Sequence, residues 1–283
     1  MGVSSRRLSR ERIARLAEAF KRGVSLIEKC EREDPQMRAV ERIIDQLGVK
    51  DGAAFTVGVA IVSYMLSVRG EEHWFMASRY AGRPVKDSLV TFIQESPSLL
   101  RFRQSRLKRI KKYSKTFLPR FPERFDYYID DLGLFWRDLA AAMEGDASAK
   151  TVVFAVKMFY YALIASGLKP LLPREAPIPV DYRVCLMTLA SGLVSSETSD
   201  LKENARLLRI KHTSLVKHSW NLVSSLSGLP PLRLDSTLWL VGGAVEKKWP
   251  LKDKTVKEVE SMLGDSLGPD EKMLLHELLW KLE

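Results

Sequence analysis

The chain has 283 residues, of which 46% are hydrophobic and 28% are charged, and its formal net charge is +10. This composition excludes a disordered chain, and the length suffices for one large domain or two small ones with a hydrophobic core. The positive charge favours an anionic partner, either nucleic acid or a membrane surface.

Apolar residues recur at steps of three and four along nearly the whole chain, a pattern that predicts helices. No stretch alternates apolar and polar residues with period two, so we expect an all-α fold. The predicted helices cover residues 9–31, 36–47, 52–67, 86–95, 104–116, 121–143, 149–166, 181–193, 198–227, 235–247 and 271–281.

The longest uncharged run, residues 53–68, is shorter than the roughly 20 residues that a membrane-spanning helix needs. It therefore predicts a buried core helix and no membrane insertion. Four prolines lie between Pro170 and Pro179, and they predict a constrained, non-helical loop between two apolar helices.

The chain has two cysteines, Cys30 and Cys185, and four scattered histidines without a metal-ligand spacing. We therefore expect no metal centre and a reduced intracellular compartment. Asn and Gln together number only six, a scarcity that is typical of thermophilic proteins.

The predicted helix 149–166 combines an apolar surface with two lysines. One face carries Lys150, Phe154, Lys157 and Tyr161, and Lys157 is the only charged residue after Lys150. A buried lysine must be paired, lose its proton or act chemically, and a second nearby cation together with a dry pocket favours the nucleophilic free amine. Alternatively, both side chains pack their stems and extend their ammonium groups to water.

Two aspartates stand where apolar helices are predicted to begin. Asp181 follows the proline-rich loop, and Asp235 precedes Trp239 by one turn. Both are natural N-caps, and capping would fix the Asp181 carboxylate so that it could also act as a base beside a lysine amine. Trp74 follows Gly70, Glu71, Glu72 and His73, and a tryptophan taken by itself is most often a core residue.

Residues 101–120 contain nine basic residues, and no acidic residue occurs between Glu95 and Glu123. A solvated basic face would explain this run, but contact with nucleic-acid phosphates explains better the absence of compensating acids. The residues predicted to bind nucleic acid are Arg101, Arg103, Arg106, Lys108, Arg109, Lys111 and Lys112.

Five segments in order resemble the archaeal GO glycosylase (AGOG) branch of the helix-hairpin-helix DNA glycosylases, over roughly residues 22 to 250. They are Asp34-Pro-Gln-Met-Arg-Ala-Val40, Gly70-Glu-Glu-His-Trp74, Lys150-Thr-Val-Val-Phe-Ala-Val-Lys157, Ile178-Pro-Val-Asp-Tyr-Arg-Val184 and Pro230-Pro-Leu-Arg-Leu-Asp-Ser-Thr-Leu-Trp239.

The resemblance implies two helical subdomains, residues 50–180 and residues 22–49 with 181–250, flanking an active-site cleft. An N-terminal extension, 1–21, and a helical C-terminal appendage, 251–283, lie outside the match.

The implied activity is an N-glycosylase and DNA lyase on 8-oxoguanine that needs no cofactor. By resemblance Lys150 is the nucleophile and Asp181 the catalytic aspartate. The implied base-binding residues are Gln36, Trp74, Phe154, Lys157, Asp235 and Trp239.

The wider superfamily has a glycine pair in the hairpin before the catalytic aspartate, whereas residues 168–180 contain no glycine. The AGOG branch shares this departure, which leaves open the backbone amides that hold the DNA phosphate. We expect a monomer that acts on double-stranded, or also single-stranded, DNA. The alternatives are a glycosylase for another damaged base, a non-catalytic helical DNA-binding protein, and a membrane-surface protein.

Overall fold

The structure, a computed structural model, describes residues 7–196 and 200–283. The first six residues of the expected N-terminal extension and residues 198–199 of a predicted helix lie outside this part. All regular elements of the described part are helical, which confirms the all-α prediction. No helix there combines the length and the apolar character needed to cross a membrane.

Sixteen α-helices occur in the described residues: α1 (Arg10–Arg22), α2 (Val24–Arg32), α3 (Pro35–Leu47), α4 (Val49–Val62), α5 (Gly70–Arg79), α6 (Val85–Glu95), α7 (Arg103–Thr116), α8 (Phe121–Asp130), α9 (Leu132–Ala142), α10 (Lys150–Ala165), α11 (Tyr182–Ala190), α12 (Leu201–Lys211), α13 (Thr213–Ser227), α14 (Pro231–Lys248), α15 (Lys252–Leu263) and α16 (Pro269–Leu278).

The predicted helix 9–31 is divided at Gly23 into α1 and α2. Gly23 allows α16 to approach closely, because a Cβ at this position would lie only 2.8 Å from the Cβ of Leu274. The helical period continues across the glycine, so the sequence pattern alone did not predict this break.

Other observed helix boundaries also differ from the predicted ones. The predicted helices 121–143 and 198–227 are divided at Asp131 and His212. Helices α5 and α15 had no predicted counterpart, and α14 begins at Pro231, four residues before the predicted start. Proline is favoured in the first helical turn, where its missing N–H has no partner to lose.

The chain folds as two compact units. Unit 1 contains the described residues up to Glu33 together with Pro177–Glu283, and unit 2 contains Asp34–Ala176. Residues 34–49, which we expected with 181–250, lie in unit 2. The expected N-terminal extension and C-terminal appendage are parts of unit 1, where α1 packs against α16.

Unit 2 is built around α4 and α10, which pack against each other and against α3. Residues Gly52–Val62 of α4 are buried on every side, as the uncharged run predicted. Stacked and edge-to-face aromatic rings extend this core, including Phe135 on Phe159 with centroids 4.2 Å apart. The result is a rigid support for the polar side chains of α10.

Unit 1 has its own hydrophobic core. Helix α11 packs against α12 and α14, and α1 packs against α13. The core side chains include Phe20 and Trp220, whose rings meet edge to face at 6.4 Å. This arrangement fixes the beginning of α11 and the middle of α14, where three candidate site residues lie.

Candidate active site

Lys150 is the first residue of α10, as the sequence predicted, and its side chain is exposed. The expected dry surroundings are therefore absent at Lys150 in this structure. Phe154, one turn further along α10, is half-buried. The Lys150 amine and the Phe154 ring thus lie on one face of α10, within its first two turns.

Lys157 is buried and paired with a carboxylate. Its Nζ lies 3.5 Å from Oδ2 of Asp34, and the two side chains are 1% and 0% exposed. The hydroxyl of Tyr161 donates to the same oxygen at 2.8 Å. The alternative in which this ammonium reaches water is therefore wrong. Because a lone buried charge is costly, the carboxylate holds Lys157 as a cation.

Asp34 also fixes the helix that carries Gln36. It is the N-cap of α3, and its Oδ1 accepts a hydrogen bond from the backbone N–H of Gln36 at 2.8 Å. No role was predicted for Asp34 from the sequence. An aspartate followed by proline is a readable capping signal, but its contact with Lys157 depends on tertiary packing.

The side chain of Gln36 is buried, yet its Oε1 has no hydrogen-bond partner among the described residues. Buried polar atoms are nearly always paired, so such an oxygen is a candidate for ligand binding. It is suited to accept a hydrogen bond from an N–H of a bound base.

Two aromatic rings of unit 2 pack against each other. Trp74 of α5 is buried and meets Phe154 edge to face, with centroids 6.1 Å apart and planes at 66°. The half-buried Phe154 ring is the natural surface for stacking of a flat ligand, with Trp74 packed beside it.

His73, next to Trp74, anchors α5. Its Nε2 lies 2.8 Å from the hydroxyl of Ser63, and its Nδ1 lies 2.9 Å from that of Ser98. Burial, with a smaller contribution from the charge of Arg106, lowers the pKa of His73 to about 3. The ring is therefore neutral at physiological pH and joins two loops by hydrogen bonds.

Asp181 in unit 1 is the N-cap of α11, as predicted. Its Oδ1 accepts a hydrogen bond from the backbone N–H of Val184 at 2.9 Å. Capping orients the carboxylate and leaves Oδ2 for other contacts.

Asp235 is not an N-cap, because α14 begins at Pro231 and Asp235 lies buried within its second turn. Trp239 follows one turn later. The guanidinium of Arg183 lies 4.2 Å from the centroid of the Trp239 ring, and its Nε lies 3.5 Å from Glu246. Arg183, which orients the tryptophan, was not among the residues predicted from the sequence.

The basic residues predicted to contact DNA occupy different environments. Exposed side chains are those of Arg101, Lys108 and Lys111. Arg103 is half-buried. Arg109 donates to the hydroxyl of Thr151 at 2.7 Å, and Lys112 pairs with Glu144 at 2.6 Å. The exposed members are the natural contacts for phosphate groups.

Arg106 has a structural position. Its side chain is fully buried, and its guanidinium donates to the backbone carbonyls of Val62 at 3.1 Å, of Leu99 at 3.4 Å and of Tyr64. We therefore remove Arg106 from the set of phosphate-binding residues.

No group of three or more His, Cys, Asp or Glu side chains within residues 7–196 and 200–283 is arranged to hold a metal ion.

Comparison with solved structures places this fold among DNA glycosylases. The crystal structure of Pa-AGOG, an 8-oxoguanine DNA glycosylase from Pyrobaculum aerophilum complexed with 8-oxoguanosine, is similar with a TM-score of 0.70 and 30% identity. The match covers 92% of this chain and 98% of that chain.

The chain belongs to the AGOG family of N-glycosylase/DNA lyases, whose family model matches residues 5–276. Among curated relatives, an N-glycosylase/DNA lyase of Pyrobaculum aerophilum is 33% identical over 82% of this chain and 87% of its own length. One from Methanopyrus kandleri is 33% identical over 78% of this chain and 86% of its own length.

Proposed function

We propose that this protein excises 8-oxoguanine from DNA and then cuts the strand, with Lys150 as the nucleophile. The observation that carries this assignment is the contrast between the two lysines of α10. Lys157 is buried as the cation of an ion pair with Asp34, whereas Lys150 is exposed at the N-terminus of the helix. An ammonium held by a carboxylate has no lone pair with which to attack.

Residues of unit 2 also supply groups that could bind the damaged base. Phe154 offers a stacking surface, Gln36 offers an amide oxygen, and the ammonium of Lys157 is a donor. 8-Oxoguanine differs from guanine in having an N7–H donor and an O8 acceptor, so discrimination needs an acceptor for N7–H. A backbone carbonyl or Asp235 would supply it. A buried acceptor left unpaired by guanine costs about 1–3 kcal/mol, equivalent to about ten- to a hundredfold discrimination.

By family resemblance, Asp181 is the catalytic carboxylate and Trp239 a further wall of the base pocket. Two local contacts support these roles. The cap hydrogen bond to Val184 orients the Asp181 carboxylate, and the guanidinium of Arg183 orients the Trp239 ring. The exposed cations Arg101, Lys108 and Lys111, with the half-buried Arg103, would bind the backbone of the DNA, and Arg109 and Lys112 would join them by exchanging their present partners.

The reaction needs only groups of this chain. The free amine of Lys150 attacks C1′, the C1′–N9 bond breaks, and its electron pair leaves with the base, which takes up a proton. Asp181 stabilises the positive charge that develops on the sugar and accepts the proton lost by the amine. Opening of the sugar ring gives a Schiff base, and loss of a C2′ proton then breaks the C3′–O bond.

Borohydride trapping tests the nucleophile. On a duplex that already contains an abasic site, wild-type protein and Lys157→Gln should form a covalent adduct, whereas Lys150→Gln should not. The preformed abasic site removes the need for base recognition, so Lys157→Gln is a matched control. An adduct with Lys150→Gln and none with Lys157→Gln would reverse the assignment.

A lesion panel tests the substrate. Wild-type protein should cut an 8-oxoguanine duplex and leave uracil and oxidised-pyrimidine duplexes intact. Cutting of the latter alone would assign a different damaged base. Binding without any cutting, unaffected by Lys150→Ala, would instead indicate a non-catalytic DNA-binding protein.

We also propose that the protein acts as a monomer on duplex DNA inside the cell. Light scattering should give the mass of one chain, both alone and with an equimolar duplex. A mass of two chains would exclude the monomer.

A further inference from the structure

Helix α12 of unit 1 carries a stripe of exposed cations that the proposed reaction does not use. Lys202, Arg206 and Arg209 are exposed and follow one another at steps of four and three residues, so they share one face of the helix. Another face packs into the core of unit 1 through Ala205 and Leu208. The stripe is therefore a solvent-facing surface on a helix that its own core holds in place.

These cations have little acidic charge around them. Residues 204–234 contain no aspartate or glutamate. Within residues 7–196 and 200–283, none of the three cations forms an ion pair. On α12 itself Glu203 is exposed, and the carboxylate of Asp200 is engaged as the N-cap. A row of cations without compensating acids indicates an anionic partner.

The stripe adjoins the beginning of α11, where Asp181 is the N-cap. Helices α11 and α12 pack against each other within unit 1. The first residue of α11 is Tyr182, and burial raises the pKa of its phenol, whereas the charges of Arg206 and Arg209 oppose the rise. These two guanidinium groups therefore act on the residue that follows Asp181. A polyanion bound along the stripe would pass close to the proposed catalytic carboxylate.

The spacing of the cations fits a DNA strand better than a membrane surface. Residues seven apart in an α-helix lie about 10 Å apart along its axis. One strand of B-DNA carries a phosphate for roughly every 3.4 Å of its axis, so the distance from Lys202 to Arg209 spans about three phosphates. A helix that binds a membrane surface buries its apolar face in the lipid. The apolar face of α12 is already packed in the core of unit 1.

We propose that Lys202, Arg206 and Arg209 form a phosphate-binding surface of unit 1, separate from the basic residues of α7. The surface holds successive phosphates of the DNA strand that passes Asp181. This inference rests on the proposed function, which identifies the polyanion as DNA. The stripe contributes affinity and places the strand, and no chemical step passes through it. Each guanidinium donates charge-assisted hydrogen bonds to phosphate oxygens.

The test measures binding of an undamaged duplex by Lys150→Gln protein, so it does not need excision. Addition of Arg206→Gln/Arg209→Gln should reduce the slope of log K against log salt concentration by about 2, since two phosphate contacts are lost. Between about 50 and 200 mM salt, the loss of affinity should therefore be about tenfold smaller than for Lys150→Gln alone. Arg206→Lys/Arg209→Lys keeps both charges and should retain most of the slope.

Lys254→Gln/Lys257→Gln is the matched control. These lysines are exposed on α15 of the same unit with the same three-residue spacing, and their loss changes the net charge equally. Acidic residues stand directly beside them in the sequence, Asp253 before Lys254 and Glu258 after Lys257. The control should therefore change the slope by much less than the α12 variant does. Melting curves should show that both double variants keep the stability of Lys150→Gln alone.

Phosphate ethylation shows where the stripe binds. On an 8-oxoguanine duplex, ethylation of about three successive phosphates on one strand, close to the lesion, should weaken binding of Lys150→Gln protein. Once Arg206→Gln/Arg209→Gln has been added, ethylation of the same phosphates should have no further effect.

An equal fall of the slope in the α15 control, or the same ethylation pattern with and without the α12 arginines, would overturn the proposal. The expected loss of slope in a protein that never cuts 8-oxoguanine DNA would keep the surface and reject the proposed activity. Flotation with anionic vesicles that depends on Arg206 and Arg209, without any change in DNA binding, would assign a lipid surface instead.

Discussion

The Asp34 carboxylate lies 3.5 Å from the ammonium of Lys157, and both side chains are almost completely shielded from solvent. The same carboxylate accepts hydrogen bonds from the Tyr161 hydroxyl and from the backbone N–H of Gln36. One buried charge therefore sets the position of two base-binding candidates on different helices.

Asp34→Asn should impair base recognition and leave the lyase step intact. Asparagine keeps the helix cap but leaves Lys157 as a buried cation without its counter-ion, which costs about 3–5 kcal/mol. We expect excision of 8-oxoguanine to slow by at least about tenfold, while cleavage at a preformed abasic site stays near the wild-type rate. Single-turnover rates on the two substrates provide the comparison.

Tyr161→Phe is a milder change for comparison with Asp34→Asn. It removes one hydrogen bond to Asp34, of about 1 kcal/mol, and no charge. If Asp34→Asn slowed both reactions equally, with an unchanged melting temperature, Asp34 would have no selective part in recognition.

Asp181→Asn separates capping from catalysis. Asparagine caps a helix as well as aspartate does, so the free energy of unfolding should change by only a few tenths of a kcal/mol. Without the negative charge, turnover should fall by at least about a hundredfold while binding of damaged DNA persists. Calorimetry measures the stability, titration measures the binding of damaged DNA, and gel assays measure the turnover. Undiminished turnover would remove Asp181 from the mechanism.

Phe154 and Trp74 should respond differently to truncation. Trp74 is a fully buried core residue, so Trp74→Ala should lower the free energy of unfolding by about 3–5 kcal/mol. Phe154 is half-buried, and Phe154→Ala should mainly raise KM for 8-oxoguanine DNA, with a smaller loss of stability. Denaturant unfolding and steady-state kinetics distinguish the two. A larger stability loss for Phe154→Ala would contradict its role as a ligand-facing ring.

The basic residues of α7 should differ in their roles, some binding DNA and one stabilising the fold. Lys108→Ala and Lys111→Ala should each reduce the slope of log K against log salt concentration by about 1, since each removes one phosphate contact. Arg106→Ala should instead destabilise the protein by more than about 3 kcal/mol, because several buried carbonyls lose their donor. Titrations at several salt concentrations and melting curves report the two effects. A normal melting temperature for Arg106→Ala would place that side chain at the surface.

His73 should make stability fall in mild acid. An unfolded histidine gains a proton near pH 6.5, whereas burial keeps His73 neutral in the folded protein until about pH 3. The contribution of His73 to the free energy of unfolding should therefore be nearly constant above about pH 7.5 and decrease below pH 6.5, by up to ~1.4 kcal/mol per pH unit. His73→Gln should show a shallower decrease between pH 6.5 and 4.5 in chemical denaturation. Parallel curves for the two proteins would refute this explanation.

Local chemistry made much of the fold predictable. The start of α10 at Lys150 and the cap at Asp181 both follow from short-range signals, and the structure has them where they were expected. The start of α14 was missed although Pro230-Pro231 signals it, because Asp235 offered a competing cap.

Long-range contacts could not be read in the same way. Asp34 and Tyr161 are 127 residues apart in sequence, and only packing of α3 against α10 makes their side chains meet. The burial of Arg106 did leave a signal, because Arg106, Ile110 and Tyr113 recur at helical spacing and are the buried residues of α7. The uniform charge of the segment masked this apolar stripe.

Unit 1 is formed by two parts of the chain that are separated by unit 2, and this has a consequence for folding during synthesis. Unit 2 is one continuous stretch, but α1 and α2 pack mainly against helices that come much later in the chain, α13, α14 and α16. At ordinary translation rates the ribosome needs on the order of ten seconds to deliver those helices. The first part of the chain to emerge is thus among the last to be packed, and Phe20 meets the Trp220 ring only after α13 has been made. Shortening the chain before α16 would remove part of the surface against which α1 and α2 pack, and would therefore destabilise the beginning of the chain as well as its end.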